Sequence, residues 1–107
     1  MNAYFLLAIA IVCEVIGNAM LKASNGFKIL LPSLGVVVSF GVAFYALSLT
    51  LRAMPIGVTY AIWAGAGTAL TTLLGITIYK ENINTGKLLG LVLIIGGIVL
   101  LNIESTL

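Results

Sequence analysis

Apolar residues run through the chain in four long blocks, each closed by a short cluster of charged or turn-forming residues. The first block covers residues 4–21, Tyr4 to Leu21, and ends at Lys22. In the following segment, KASNGFKILLPS, Ser24-Asn25-Gly26 is turn chemistry and Pro32 suits the first turn of a helix. The second block covers 31–51 and stops at Arg52; Pro55-Ile56-Gly57 makes a short connection to the third, 58–79. Lys80-Glu81-Asn82-Ile83-Asn84 separates this from the fourth block, 86–102, with Thr85 expected as the N-cap. Each block approaches the about 20 apolar residues that carry a helix across a bilayer. The pattern therefore predicts an all-α integral membrane protein with four transmembrane helices in a single domain, 1–107. Short loops make successive helices antiparallel neighbours and put both termini on one side. The first block lacks a basic leader and an A-x-A site, so it is expected as a membrane helix and not a cleaved signal.

Composition narrows the chemistry. The chain is 62% hydrophobic and 7% charged, against about 25% charged residues in a soluble domain. It has no histidine, its acidic residues are Glu14, Glu81 and Glu104, and Cys13 is its only cysteine. An intrachain disulfide is impossible, and Cys13 reads as a small apolar helix residue. Without clusters of His, Asp and Cys, neither a metal site nor a hydrolytic constellation is expected; the protein reads as no enzyme and needs no cofactor. A net charge of +2 spread over the loops makes no nucleic-acid patch. Gly65-Ala66-Gly67 lies inside a membrane block with no lysine after it, so it is not a phosphate loop.

One polar residue breaks the first block: Glu14, in AIAIVCEVIGNAMLK. Such a side chain at the centre of a membrane helix costs about 3 kcal/mol on insertion scales, and usually faces a cavity or a partner. Glu14 follows Tyr4 by ten residues, about 15 Å along a helix. Helical spacing places Ala10, Gly17 and Asn18 on its face. No lysine or arginine falls at its depth. It is read either as a site that exchanges a proton for a cation or as a glutamate that only joins helices.

A second constellation, GVTYAIWAGAG, puts Tyr60, Trp63, Gly67 and Thr71 on one helical stripe. Aromatic faces attract cations by about 0.5–2 kcal/mol, tryptophan most of all, and the Tyr60 hydroxyl can donate to a carboxylate. The competing reading is an aromatic belt at the headgroups. Tyr4 has the same two readings, belt or gate, and its spacing alone favours the belt. Gly86, Gly90 and Gly97 form a small-residue face on the fourth helix, suited to packing within one protomer or between two. A membrane carboxylate and an aromatic stripe together suggest a site for a hydrophobic cation, neutralised by Glu14 and stacked on Trp63. Four short helices cannot enclose a polar path, and one glutamate is little charge for a proton and a cation together. Both points favour a dimer with two Glu14 carboxylates facing each other.

The residues that carry a family resemblance are Glu14-Val15-Ile16-Gly17 with Lys22, Ser24-Asn25-Gly26-Phe27, Pro32-Ser33, Pro55, Tyr60-Ala61-Ile62-Trp63-x-Gly65-x-Gly67, and Gly90 with Gly97. In this order, over essentially the whole length, the chain resembles the small multidrug resistance transporters. The resemblance implies a proton-coupled exporter of small organic cations in the bacterial cytoplasmic membrane. Such exporters work as antiparallel dimers, with helices 1–3 forming the substrate chamber and helix 4 making much of the dimer contact. It implies that Glu14 is the shared proton and substrate site, with Trp63, Tyr60 and Tyr4 contacting substrate. Ala10, Gly17, Asn18, Phe40 and Ala43 would line the chamber, Gly65 and Gly67 would permit a helix-3 bend, and Gly90 and Gly97 would meet the partner. Gly17 after Glu14-Val15-Ile16, with no tryptophan near the carboxylate, resembles the quaternary-ammonium multidrug branch; the guanidinium exporters are the alternative. Phe40, Ala43 and Asn18 depart from the usual tyrosine, serine and small hydroxyl residue, which alters the polar network expected around Glu14.

Loop charge bears on assembly. Lys22, Lys28, Lys80 and Lys87 lie on one side and Arg52 on the other, so the positive-inside rule puts the termini outside. An antiparallel homodimer is expected, with one half of a paired heterodimer as the alternative. A non-transporting membrane subunit, in which Glu14 only packs, is the reading from a different class.

Overall fold

The structure is a computed structural model that describes residues 2–106. Its helices are α1 (Ala3–Ala23), α2 (Leu30–Thr50), α3 (Ile56–Thr77) and α4 (Thr85–Thr106). Helices of 21 or 22 residues span about 32 Å at 1.5 Å per residue, which matches a hydrocarbon core of about 30 Å. All four are long and apolar enough to cross a membrane.

Local chemistry sets their ends. The Asn2 side chain accepts from the Tyr4 amide at 2.7 Å and caps α1. At α4 the cap is Asn84, not the expected Thr85: the Asn84 carboxamide oxygen accepts from the Lys87 amide at 2.9 Å. Asn84 precedes the first helical residue, where its side chain can satisfy an amide that lacks an intrahelical partner. Between α1 and α2, Asn25, Gly26 and Phe27 all take positive φ, a conformation that glycine and asparagine adopt at least cost. Buried Ser24 anchors this turn, donating to the Leu21 carbonyl at 2.7 Å and accepting from the Phe27 amide at 3.1 Å.

α1 lies against both α2 and α3, and α4 packs on α3. The buried face of α1 is Leu7, Ala10, Glu14 and Gly17, one helical stripe in which Ala10 and Gly17 let neighbouring backbones approach. A Cβ at Gly17 would come within 2.6 Å of the Phe40 ring, and one at Gly65 within 2.5 Å of Ile98. Thr50 and Thr59 are fully buried, but their hydroxyls donate to the Ala46 and Pro55 carbonyls at 2.9 and 2.6 Å. Back-bonding of this kind removes the cost of an unpaired buried hydroxyl. The Tyr4 hydroxyl donates to Asn102 at 3.0 Å, which brings the start of α1 beside the end of α4. The protomer is a slab, 46 × 35 × 17 Å. α4 forms one edge and has no buried residue in its membrane span.

Candidate functional site

α1 and α3, separated by one intervening helix, run parallel and meet at a constant offset of 53 residues. Trp63 Nε1 donates to the Ala10 carbonyl at 3.4 Å, and Asn18 Nδ2 donates to Thr71 Oγ1 at 3.0 Å. Midway between these pairs the Glu14 carboxylate lies against Gly67, where any Cβ would overlap it. Steps of four residues on both helices keep one face of each turned to the other, so three contacts stack along one seam.

The carboxylate is the unusual member. Glu14 is buried, and its Oε1 has no hydrogen-bond partner among the described residues. Leaving a buried acceptor unpaired costs about 1–3 kcal/mol, and more for a charged group. A glutamate kept only to join helices would be bonded to one of them. The cation further along its helix, Lys22, lies eight residues on, about 12 Å at helical rise. It is engaged elsewhere, 3.7 Å from Glu81 and 4.7 Å from the centre of the Tyr79 ring.

Aromatic rings gather at one end of the seam. Trp63 stands edge-on to Tyr60 at 5.7 Å between ring centres and tilted to Phe44 at 5.6 Å, and Phe44 continues to Phe40 at 6.2 Å. Trp63 is only 7% exposed and packs with Leu7, Ala10, Ala46 and Leu47, whereas Tyr60 and Phe44 are 58% and 54% exposed. Its burial and its bond to Ala10 place Trp63 inside the protomer. Tyr60 and Phe44 are the exposed members of this group, and both rest on the Trp63 ring.

The structure thus brings together Glu14, Ala10, Trp63, Gly67 and Tyr60, and sets Asn18 at the next step of the seam. Gly17 and Phe40 meet on the α2 side, and Ala43 is fully buried. Tyr4 stays apart, half exposed and bonded to Asn102. α3 is continuous through Gly65 and Gly67; here these glycines admit Ile98 and the Glu14 carboxylate. On α4 a Cβ at Gly90 or Gly97 would meet nothing within 4 Å. Phe44 went unread in the sequence, although Phe40 and Phe44 are one helical turn apart and that spacing is its signal.

The chain as a whole is similar to known proteins. Residues 2–94 match the family model described as Small Multidrug Resistance protein. The chain is 52% identical over 103 residues to the Quaternary ammonium compound-resistance protein QacC of Staphylococcus aureus, covering 96% of each chain. It is 52% identical over 99 residues to the Multidrug resistance protein EbrA of Bacillus subtilis, covering 92% of this chain and 94% of that one. Against the Multidrug resistance protein EbrB of Bacillus licheniformis the identity is 47% over 106 residues, 99% and 89% of the two chains. With four membrane-spanning helices and relatives alike over nearly their whole length, this chain belongs to the small multidrug resistance family of multi-pass bacterial membrane proteins.

Proposed function

We propose that the protein is a proton-coupled antiporter exporting hydrophobic and quaternary ammonium cations across the cytoplasmic membrane. The observation that carries this reading is the buried Glu14 carboxylate, unpaired among the described residues, with the Trp63 and Tyr60 rings one helical step along the same seam. A carboxylate there is neutralised either by a proton or by a bound cation, and the cation needs the ionised form. The two ligands therefore exclude each other. An occupied carboxylate carries little net charge through the low-dielectric interior, while an empty one is costly to move. That difference couples the export of a cation to the import of protons.

Recognition follows from what surrounds the carboxylate. A quaternary ammonium ion has no N–H to donate, so only charge and aromatic or apolar faces can hold it. Ala10, Gly17 and Gly67 offer no polar side chain, and the nearby Asn18 amide is engaged by Thr71. Guanidinium needs several in-plane acceptors, and this site is poor in them. Two relatives named for resistance to quaternary ammonium compounds or to multiple drugs support the same class. Tyr4 is proposed as an outer contact at the mouth of the chamber, and Gly65 and Gly67 as the places where α3 bends during exchange.

The assembly we propose is an antiparallel homodimer. A second copy would bring a second Glu14 and cover the open side of a slab only 17 Å thick. Gly90 and Gly97 leave space on α4 for a neighbour. The lysines of loops 1 and 3, opposed only by Arg52 among side chains, favour a second reading, one half of a heterodimer. A cysteine introduced at the C-terminus and labelled in cells distinguishes them. The homodimer predicts labelling from both sides of the membrane when the chain is expressed alone. One-sided labelling, with no transport until another subunit is co-expressed, would establish the heterodimer.

Two further tests bear on transport. In proteoliposomes on a solid-supported membrane, a tetra-alkylammonium ion should evoke a current and guanidinium should not; the reverse would contradict the assigned substrate class. Phe44→Ala and Tyr60→Ala should each weaken binding of an aromatic cation by roughly 0.5–1.5 kcal/mol, about twofold to twelvefold. Both side chains are more than half exposed in the protomer, so thermal stability in detergent should change little. Trp63→Ala removes a buried ring, and its effect would mix recognition with a packing loss of about 3–5 kcal/mol. Trp63 is the only tryptophan, and its fluorescence should respond to saturating cation.

A further inference from the structure

Toward loops 1 and 3, α1 and α3 border a cleft of about 400 Å³ whose walls include Asn18, Thr71, Thr72, Lys22, Tyr79 and Glu81. At about 30 Å³ per molecule this has room for roughly a dozen waters. An amide, two hydroxyls, a phenol and charged groups line it alongside Ala19, Leu74, Gly75 and Ile76, so polar groups that can bond water punctuate a largely apolar wall. Asn18 and Thr71, hydrogen-bonded to each other at 3.0 Å, are the members of its wall nearest Glu14 in sequence on α1 and nearest Gly67 on α3. Glu14 lies one step further along the same seam, four residues from Asn18, or about 6 Å of helical rise. The cleft thus ends against the roof of the Glu14 site.

Trp63, Tyr60 and Phe44 lie toward the opposite end of that seam, around Ala10, while the Phe40 ring reaches back to Gly17 and Tyr79 stands in the cleft wall. Two approaches to one carboxylate differ in chemistry. The ring end suits a hydrophobic cation. The cleft end, bordered by Lys22 and Lys87, repels an organic cation but admits water. Glu81 stands in its wall as a hydrogen-bond acceptor for water, held in place by its backbone N–H, which donates to the Gly75 carbonyl at 3.0 Å, and by Lys22 at 3.7 Å. The Asn18–Thr71 bond uses one donor of the amide and one lone pair of the hydroxyl, so both side chains keep capacity to bond water. No other ionisable side chain lies between Glu14 and the Asn18–Thr71 pair: Tyr4 and Cys13 precede Glu14 on α1, α2 carries only Tyr45, α4 adds only Lys87 and Glu104, and Tyr60 and Tyr79 sit near the two ends of α3.

We infer that this cleft is the proton route between the loop-1 and loop-3 side and Glu14, distinct from the ring-lined approach of the cation, with Asn18 and Thr71 as its last gate. On unloading, the Glu14 carboxyl gives its proton to water, leaving a carboxylate, and the hydronium departs past the pair into the cleft; loading is the reverse. Asn18 and Thr71 are positioning residues, since they order the water that exchanges the proton and do not hold the cation. The inference rests on the antiport reading above.

Stopped-flow measurement of proton release, with tetraphenylphosphonium added to the full-length protein in nanodiscs and a pH dye outside, tests it. Thr71→Val keeps shape but removes the hydroxyl, and should slow release by at least about tenfold, while Thr71→Ser should stay within about twofold of the parent. Cation affinity at alkaline pH, where no proton need leave, should be unchanged in both. Thr72→Cys in a Cys13→Ala background, blocked with a bulky thiol reagent, plugs the cleft without altering the pair and should also slow release. Parent-like rates in Thr71→Val and in the blocked protein would overturn the route. So would equal loss of affinity in the Val and Ser variants, which marks a structural role. If the parent releases no proton on binding the cation, the antiport reading itself fails, a different result from either.

Discussion

Glu14→Gln is expected to abolish proton-driven export while leaving the helices folded and assembled. Glutamine matches glutamate in shape and closely in helix propensity, and the site holds a carboxylate oxygen with no hydrogen-bond partner among the described residues. Exchanging that acid for a neutral amide therefore breaks no hydrogen bond of Oε1. What is lost is ionisation. Without it the cation has no countercharge, and binding should weaken by at least about 2 kcal/mol, roughly thirtyfold, as when one partner of a buried charge pair is removed. No proton can be exchanged, so any residual binding should be independent of pH. Helical circular dichroism should match the parent, and uptake driven by a pH gradient should fall to background. Undiminished uptake would falsify the mechanism.

The second large effect is expected at Gly67. Alanine is favoured over glycine in a helix by about 1 kcal/mol, so on propensity alone Gly67→Ala would strengthen α3. In this packing its Cβ would overlap the Glu14 carboxylate. Either the carboxylate turns away or α3 withdraws from α1, straining the Trp63–Ala10 and Asn18–Thr71 contacts on each side. Forced overpacking of this kind costs about 1–3 kcal/mol. The expected result is full helicity with at least about fivefold weaker cation binding. Gly57→Ala is the control: a Cβ there meets nothing within 4 Å, and its transport should match the parent. Equal behaviour of the two variants would show that the close approach of α3 to Glu14 does not matter.

The four helices were legible because bilayer spans leave a strong signal, long apolar runs closed by charge. Their ends were less so. α1 reaches Ala23 and α4 reaches Thr106, beyond the apolar blocks, since a helix continues into the interface while Lys22 extends toward water. α3 stops at Thr77, short of Tyr79, where Lys80 takes a positive φ and the chain turns to bring the Glu81 amide to Gly75. Spacing found the Glu14 face and the Tyr60–Trp63–Gly67–Thr71 stripe, because a period defines a face. It does not define what lies opposite. The 53-residue offset that sets Gly67 on Glu14 and Thr71 on Asn18 depends on how α1 and α3 slide past each other. The burial of Trp63, the place of Phe44 and the Tyr4–Asn102 bond likewise arise only from packing.

The central claim is that a proton and a cation compete for one carboxylate, and calorimetry of tetraphenylphosphonium binding across a pH series tests it most directly. Run in buffers of different ionisation enthalpy, it yields both the Kd and the number of protons released per cation. Protonated Glu14 cannot pair with a cation, so affinity should rise with pH and then level off once the carboxylate is ionised. Proton release should fall to zero over the same range, and both trends should vanish in Glu14→Gln. A Kd independent of pH in the parent, or a pH dependence that survives in Glu14→Gln, would contradict the account.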